Sequence, residues 1–154
     1  MRDLWVAALF FALNAVALPN SAEAADCTID KATFIQPNAE GFTLTFRPAK
    51  EPNAWSDLEV TVKTPSQEFK FSMTASNGYS FNYLVPSWKD APEDSEFRLF
   101  FYGKDYKSLE LPNKGSPAPE AIFTPDVGPM IYYTKAMKVQ EFLPPEMWRI
   151  GKCE

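Results

Sequence analysis

Apolar and polar side chains alternate with a period of two along most of the chain, and proline or glycine clusters separate the alternating segments. The segments Phe42–Arg47 and Leu58–Lys63 show the alternation most clearly, and such strands have one buried and one solvated face. Further strands are predicted at Glu68–Thr74, Tyr79–Val85, Phe97–Tyr102 and Tyr106–Leu111, with weaker candidates at Thr28–Ile35 and Met130–Phe142. About eight short strands predict an all-β, single-domain antiparallel β-sandwich, immunoglobulin-like or barrel-like.

The same alternation predicts how two hairpins pair. A three-residue loop at Ser76–Gly78 keeps apolar side chains on one face, whereas a two-residue turn would mix the faces. The resulting pairs are Phe69 with Val85, Phe71 with Tyr83 and Met73 with Phe81. A loop at Gly103–Asp105 sets Leu99 against Leu109, Phe97 against Leu111 and Arg98 against Glu110. The opposite charges of the last pair favour this register.

The segment 111–130 differs from the rest because prolines interrupt it throughout. It contains Pro112, Pro117, Pro119, Pro125 and Pro129, together with Gly115 and Gly128. A central strand does not accommodate that spacing. We therefore predict a proline-rich loop that wraps the surface and is anchored by Ile122 and Phe123, with a binding segment as the alternative.

The N-terminal region has the features of an export signal. Arg2 precedes the almost entirely apolar run Leu4–Leu18, and the small-residue pattern Ala22–Ala24 follows a break. This arrangement predicts a signal peptide over residues 1–24, cleaved after Ala24. The mature chain is then one domain over residues 25–154, and a retained N-terminal anchor helix is the alternative.

The chain has two cysteines, Cys27 and Cys153. In an exported protein such a pair predicts a structural disulfide, here one that joins the two ends of the mature domain. A redox-catalytic role is disfavoured because reactive pairs usually lie close together as Cys-x-x-Cys. The expected location is therefore periplasmic or secreted.

The charge of the chain narrows the possible partners. The net charge is −5, and removal of residues 1–24 leaves it at −4. No cluster of basic residues interrupts this acidic background. Nucleic acid is therefore an unlikely partner, and binding to an anionic membrane surface is equally disfavoured. No membrane insertion is expected after cleavage of the signal peptide.

The sequence lacks the catalytic or cofactor-binding residues that several classes of enzyme require. The sequence has no histidine, which removes Ser-His and Cys-His nucleophiles and most zinc sites. The six glycines do not form a Rossmann turn or a P-loop. We predict no catalytic residues and no cofactor. Catalysis by two carboxylates across a cleft stays open, because sequence does not give their separation.

One cluster of acidic residues is a candidate metal site. Asp90, Glu93, Asp94 and Glu96 lie between two predicted strands. Carboxylates in a flexible loop are calcium ligands, so this cluster is a weak calcium candidate. Its spacing matches no known calcium loop, and solvated turn residues explain it equally well. No metal site is predicted.

Two tryptophans lie outside the alternation and mark the predicted binding site. Trp55 and Trp88 occur in turn-rich segments, where an indole can stack on a sugar or fill a partner's pocket. Asp57, Lys89 and Asp90 are close enough in sequence to orient a ligand through hydrogen bonds. The alternative is that both rings cap the ends of the hydrophobic core.

The segment Thr74–Tyr79 resembles the conserved loop of small periplasmic lysozyme inhibitors, which are compact, cysteine-bridged β-barrels. The likeness covers six residues. It departs from that family by an inserted Asn77 and by lacking the downstream Lys-Gly context. The resemblance implies an inhibitor-like role, while a plain hairpin explains the same residues, so no family is assigned.

Together these features predict an exported, non-catalytic binding domain, of bacterial origin, that recognises an envelope protein or a glycan. The lack of Asn-x-Ser/Thr sequons is consistent with that origin. Two alternatives remain: a small hydrolase that uses paired carboxylates, and an assembly subunit whose sheet edge pairs with another chain.

Overall fold

The computed structural model describes residues 27–76, 78, 81–88, 91, 95–133 and 141–154. The predicted signal peptide, residues 1–24, lies outside them. In chain order the elements are β1 (Ala32–Ile35), β2 (Thr43–Pro48), β3 (Leu58–Lys63), β4 (Glu68–Ala75), β5 (Asn82–Pro86), β6 (Phe97–Tyr102), β7 (Ser108–Leu109), β8 (Ala121–Phe123), α1 (Val127–Tyr133) and β9 (Trp148–Cys153).

The strands form one closed antiparallel barrel. Eight strands follow one another in the order β5-β4-β3-β2-β1-β9-β8-β6, and β6 pairs with β5 to close the ring. The short strand β7 is an addition that pairs with β6. The all-β prediction is confirmed, but the sandwich is wrong. The pairing of β1 with β9 makes the sheet continuous, whereas a sandwich would leave two separate sheets.

Inward-facing side chains of neighbouring strands lie opposite one another and fill the barrel. Phe46 is opposite Val60, and Val60 is opposite Phe71. All three are fully buried, and burying a side chain of this kind contributes about 1.5–3 kcal/mol. The core also contains Phe34, Leu44, Leu58, Val62, Phe69, Met73, Leu84, Leu99, Phe101, Ile122 and Trp148.

The bounds predicted from alternation are correct for β3 and β6. The strand predicted at Met130–Phe142 is wrong at both of its described ends, because the residues as far as Tyr133 belong to α1 and Phe142 lies outside any strand. Residues 134–140 of that prediction lie outside the described residues. The sequence pattern also missed β9, where a glycine and charged residues follow Trp148.

The predicted register of the β4–β5 hairpin is wrong. Met73 lies opposite Leu84, not Phe81. The connection is longer than three residues, since the backbone N–H of Ser76 donates to the carbonyl of Phe81 at 2.8 Å. The longer loop turns Leu84 and the polar Asn82 inward, and both are buried.

The predicted register of the β6–β7 hairpin is also wrong. Leu109 lies opposite Phe101 instead of Leu99. The loop runs from Gly103 to Lys107, whose carbonyl accepts the Gly103 backbone N–H at 3.0 Å. The longer loop removes the predicted pairing of Arg98 with Glu110.

The proline-rich segment 111–130 is only partly a loop. It contains β8, in which Ile122 is buried, and the first residues of α1. Before β8 the chain is fastened to the barrel by backbone contacts. The N–H of Ala118 donates to the carbonyl of Cys27 at 2.8 Å, and the N–H of Gly115 donates to the Asp30 carboxylate at 3.0 Å.

The predicted disulfide is present. Cys27 and Cys153 are joined, with their Cα atoms 5.9 Å apart, so the end of β9 is tied to the segment that precedes β1. The bond indicates a non-reducing compartment. In the described part of the chain, no helix has the length and apolar character needed to cross a membrane.

Candidate functional site

One concavity among the described residues is an apolar groove between α1 and the segment that leads into β9. Its volume is about 510 Å³, within the range of about 300–1,000 Å³ typical of ligand sites. We call it the α1 groove. It is lined by Thr124, Pro125, Gly128, Pro129, Tyr132, Tyr133, Phe142, Leu143 and Pro145. None of these described lining residues is charged.

An ion pair holds the start of α1 on the barrel. The Arg98 guanidinium donates to the two carboxylate oxygens of Asp126 at 2.8 and 2.7 Å, and the Arg98 backbone N–H donates to the same carboxylate at 3.0 Å. Apolar burial adds to this attachment, because Val127 and Ile131 of α1 are fully buried. The wall of the groove that α1 forms is therefore fixed to β6.

The Arg98 contact also sets the protonation of the acid. Hydrogen bonds from Arg98 hold the pKa of the Asp126 carboxyl below its ordinary value of 3.8, against the opposing effect of burial. The same hydrogen bonds raise the pKa of Arg98. The pair is therefore ionised at neutral pH.

Gly128 allows the opposite wall to approach α1 closely. A Cβ atom at this position would lie 2.6 Å from the carbonyl oxygen of Leu143, which is closer than real Cβ atoms come. Leu143 is buried on the other side of this contact. The shape of the groove therefore depends on a residue without a side chain at position 128.

The walls of the groove expose aromatic rings to solvent. Tyr133 is 79% exposed and Phe142 is 70% exposed. Tyr132 packs edge-on against Tyr133, with ring centroids 5.0 Å apart. Large exposed apolar side chains gathered at a concavity are typical of recognition surfaces. Tyrosine adds a hydroxyl that can hydrogen-bond a partner.

The second concavity lies between the β2–β3 loop, the strands β3 and β4, and Ser87. Its volume is about 300 Å³. We call it the polar cleft. It is lined by Ala49, Lys50, Glu51, Asn53, Ser56, Leu58, Glu59, Phe71, Ser72 and Ser87. The segments that contain the two predicted tryptophans both contribute to it, because Ser56 follows Trp55 and Ser87 precedes Trp88.

The two tryptophans have different environments. Trp55 is 45% exposed. Trp88 is half-buried and packs edge-on against Phe69 and Phe71, with ring centroids 5.4 and 5.3 Å away. Its indole N–H is buried and has no hydrogen-bond partner among the described residues. Trp88 therefore packs against the hydrophobic core, as expected for the alternative in which its ring caps the end of the core.

Other residues of the predicted binding site have structural contacts or are not described. The Asp57 carboxylate accepts the backbone N–H of Lys114 at 2.9 Å, which fastens the proline-rich segment to the β2–β3 loop. Lys89 and Asp90 lie outside the described residues. Among Trp55, Asp57 and Trp88, the three predicted residues that the structure describes, Trp55 is the most exposed, and Asn53 and Ser56 near it in the sequence line the polar cleft.

The weak calcium candidate is mostly outside the described residues. Asp90, Glu93 and Asp94 are not described, and Glu96 is exposed just before β6. Across the residues that the structure describes, no three His, Cys, Asp or Glu side chains are grouped to hold a metal ion.

No family model, no curated protein and no solved structure matches the chain. Of the segment Thr74–Tyr79, which resembles the lysozyme-inhibitor loop, the structure describes residues 74–76 and 78. The geometry of the two concavities is therefore the basis for a functional proposal.

Sequence reasoning missed the α1 groove because prolines and glycines obscured its helix. Pro129 lies in the first turn of α1, where the missing N–H is tolerated. Asp126, just before the helix, is a residue type common at helix starts. An acid followed by a proline in the first turn is the signal that could have indicated a helix here.

Proposed function

We propose that this protein is an exported, non-catalytic binding domain that holds an apolar segment of an envelope protein in the α1 groove. The observation that carries the proposal is the exposure of Tyr133 and Phe142 on the walls of a concavity whose described lining residues carry no charge. Solvating such rings is unfavourable, and a partner that covers them removes that cost.

The chemistry of the groove favours a protein segment as the ligand. Its lining is proline, aromatic and aliphatic, and its tyrosines place hydroxyl groups at an otherwise apolar surface. Such a surface complements apolar side chains and leaves the hydroxyls free to bond a peptide carbonyl. A strongly charged ligand would find no opposite charge among the described lining residues.

Export is part of the proposal. The disulfide between Cys27 and Cys153 supports an oxidising location, and the predicted signal peptide over residues 1–24 supports the periplasm or the exterior of a bacterial cell. The acidic net charge gives no support to nucleic acid or an anionic membrane surface as a partner.

The non-catalytic assignment is also a proposal. The absence of histidine and of nucleotide-binding glycine motifs supports it. The hydrolase alternative depends on paired carboxylates, and Glu51 and Glu59 both line the polar cleft. Release of reducing ends from a polysaccharide by the purified protein would favour that alternative.

The test is affinity capture from the envelope with the oxidised protein and a Tyr133→Ser, Phe142→Ser double variant. Both side chains are largely exposed, so the variant should keep its fold to within about 0.5 kcal/mol. We expect the wild type to retain a protein that the variant loses. In a titration with that purified protein, the dissociation constant should rise at least about tenfold.

A Tyr106→Ser variant is the matched control, because Tyr106 is 61% exposed and lies beyond the C-terminal end of β6, far from the Arg98 end that holds α1. It should bind like the wild type. Equal retention by the groove variant and the wild type would contradict the proposal, as would retention of no protein by either.

A further inference from the structure

The exposed ring of Trp55 is presented by a rigid turn. The Asn53 side-chain oxygen accepts the backbone N–H groups of Trp55 and Ser56 at 2.8 and 2.9 Å. The Asn53 side-chain amide donates to the carbonyl of Met73 in β4 at 3.0 Å. The backbone that carries this indole is therefore held in place, because the turn is bonded to β4 of the barrel.

The Asn53 backbone adds a further bond to the turn, since its N–H donates to the carbonyl of Ser56 at 3.1 Å. The Ser56 hydroxyl then accepts the N–H of Leu58, the first residue of β3. A turn whose backbone is held in this way does not need to be ordered on binding, which favours affinity.

The polar cleft beside this turn combines hydrogen-bonding groups with apolar surface. Lys50 offers a donor, Glu51 and Glu59 offer acceptors, and serine hydroxyls offer both. Leu58 and Phe71 of the same lining are fully buried, so the exposed apolar surface next to the cleft is the ring of Trp55, which lies between the lining residues Asn53 and Ser56 in the sequence. A ligand that matches this cleft has many hydroxyls and also an apolar face.

We infer that the polar cleft is a second binding site, for a saccharide, with Trp55 as the surface on which a sugar ring stacks. A pyranose presents hydroxyls around its edge and C–H groups on its face, so it meets both requirements. The indole face attracts the partly positive C–H groups, as aromatic faces attract other positive edges.

The charges of the cleft argue against anionic ligands. It has two carboxylates and one ammonium group among its described lining residues, and Glu59 is additionally paired with Lys70 at 3.2 Å. With Lys70 included, positive and negative side chains are equal in number, so the cleft offers a phosphate no excess of positive charge. A purely apolar ligand would desolvate the same charges without replacing their hydrogen bonds.

This site is distinct from the α1 groove. The loop that carries Trp55 follows β2, whose Arg47 pairs with Glu154 at 3.4 Å, next to the disulfide end of β9. The α1 groove lies at the other end of β9, where Trp148 begins the strand. Loss of one site should therefore leave the other intact.

The test is titration of the full, oxidised chain with chitotriose, cellotriose and maltotriose, followed by amide and indole NMR shifts and by calorimetry. We expect at least one of these sugars to bind and to shift the Trp55 indole resonance. In a Trp55→Ala variant the dissociation constant for that sugar should rise at least about tenfold, as for lost stacking elsewhere.

Tyr133→Ser is the matched control, since it removes an exposed aromatic ring from the α1 groove and should leave sugar binding unchanged. Absence of any Trp55 shift with all three sugars at about 10 mM would overturn the inference. Equal sugar affinity in the wild type and the Trp55→Ala variant would also overturn it. Neither result would affect capture of a protein by the α1 groove.

Discussion

The guanidinium of Arg98 in β6 donates hydrogen bonds to both carboxylate oxygens of Asp126, and the backbone N–H of Arg98 donates to the same carboxylate. Asp126 is the residue immediately before α1, so this contact connects the helix to the barrel strand β6. The contact replaces the Arg98–Glu110 pair that the hairpin pattern predicted, and it explains how a helix of seven residues stays on the barrel.

Asp126→Asn should lower the free energy of unfolding at neutral pH. The folded pKa of Asp126 lies below its ordinary value of 3.8, so the ionised pair stabilises the fold above that pH. This stability is lost as the pH falls through the lowered pKa. The difference in urea midpoint between wild type and variant should therefore be modest at pH 7 and vanish well below pH 3.8.

Added salt should reduce the same difference at pH 7, because both side chains are partly exposed and their attraction is screened. A difference that stays constant from neutral to strongly acidic pH would show that Asp126 acts through packing and not through its charge.

Gly128→Ala should destabilise the protein by about 1–3 kcal/mol, because the new Cβ would collide with the carbonyl of Leu143. In an open helix the same change would be stabilising. Thermal unfolding gives the size of the effect. Pro129→Ala, at the exposed neighbouring position, is the control and should change stability little.

Tyr106→Gly should raise the free energy of unfolding by about 0.5–1 kcal/mol. Tyr106 has a φ angle of 54°, a left-handed conformation that disfavours side chains with a Cβ atom. Its ring is largely exposed, so little packing is lost. Chemical denaturation measures the gain, and a decrease in stability would mean that the ring makes stabilising contacts.

Much of the barrel follows from the sequence, since alternation gives the bounds of β3 and β6 directly. The hairpin registers do not follow, because they depend on loop length. Alternation assumes that the apolar side chain faces the core, but in β5 the polar Asn82 is buried and the aromatic Tyr83 is half-buried. Burial of a polar side chain is a tertiary effect, which a local pattern does not record.

The two proposed binding sites were predictable from the sequence to different degrees. Trp55 was identified from its position outside the alternation, but its exposure depends on the turn held by Asn53. The α1 groove was missed because prolines and glycines obscured the helix that forms one of its walls, and the Arg98–Asp126 contact that fixes this helix joins residues 28 positions apart. Such contacts between distant segments leave no periodic signal.

Reduction of the disulfide, or a Cys27→Ser, Cys153→Ser double variant, should lower the free energy of unfolding by about 2–5 kcal/mol. The bridge spans 126 positions and restricts the unfolded chain over that whole length. Urea unfolding with and without reductant measures the loss. An unchanged midpoint would mean that β1 and β9 hold together without it.

The pairing of β1 with β9 also determines when the barrel can close during synthesis of the chain. A ribosome releases β1 first, yet β9, one of the two strands with which it pairs, emerges only after more than a hundred further residues. Until then both edges of the growing sheet stay open and able to join other chains. Ring closure is thus a late event, and an unfinished chain needs protection from its neighbours.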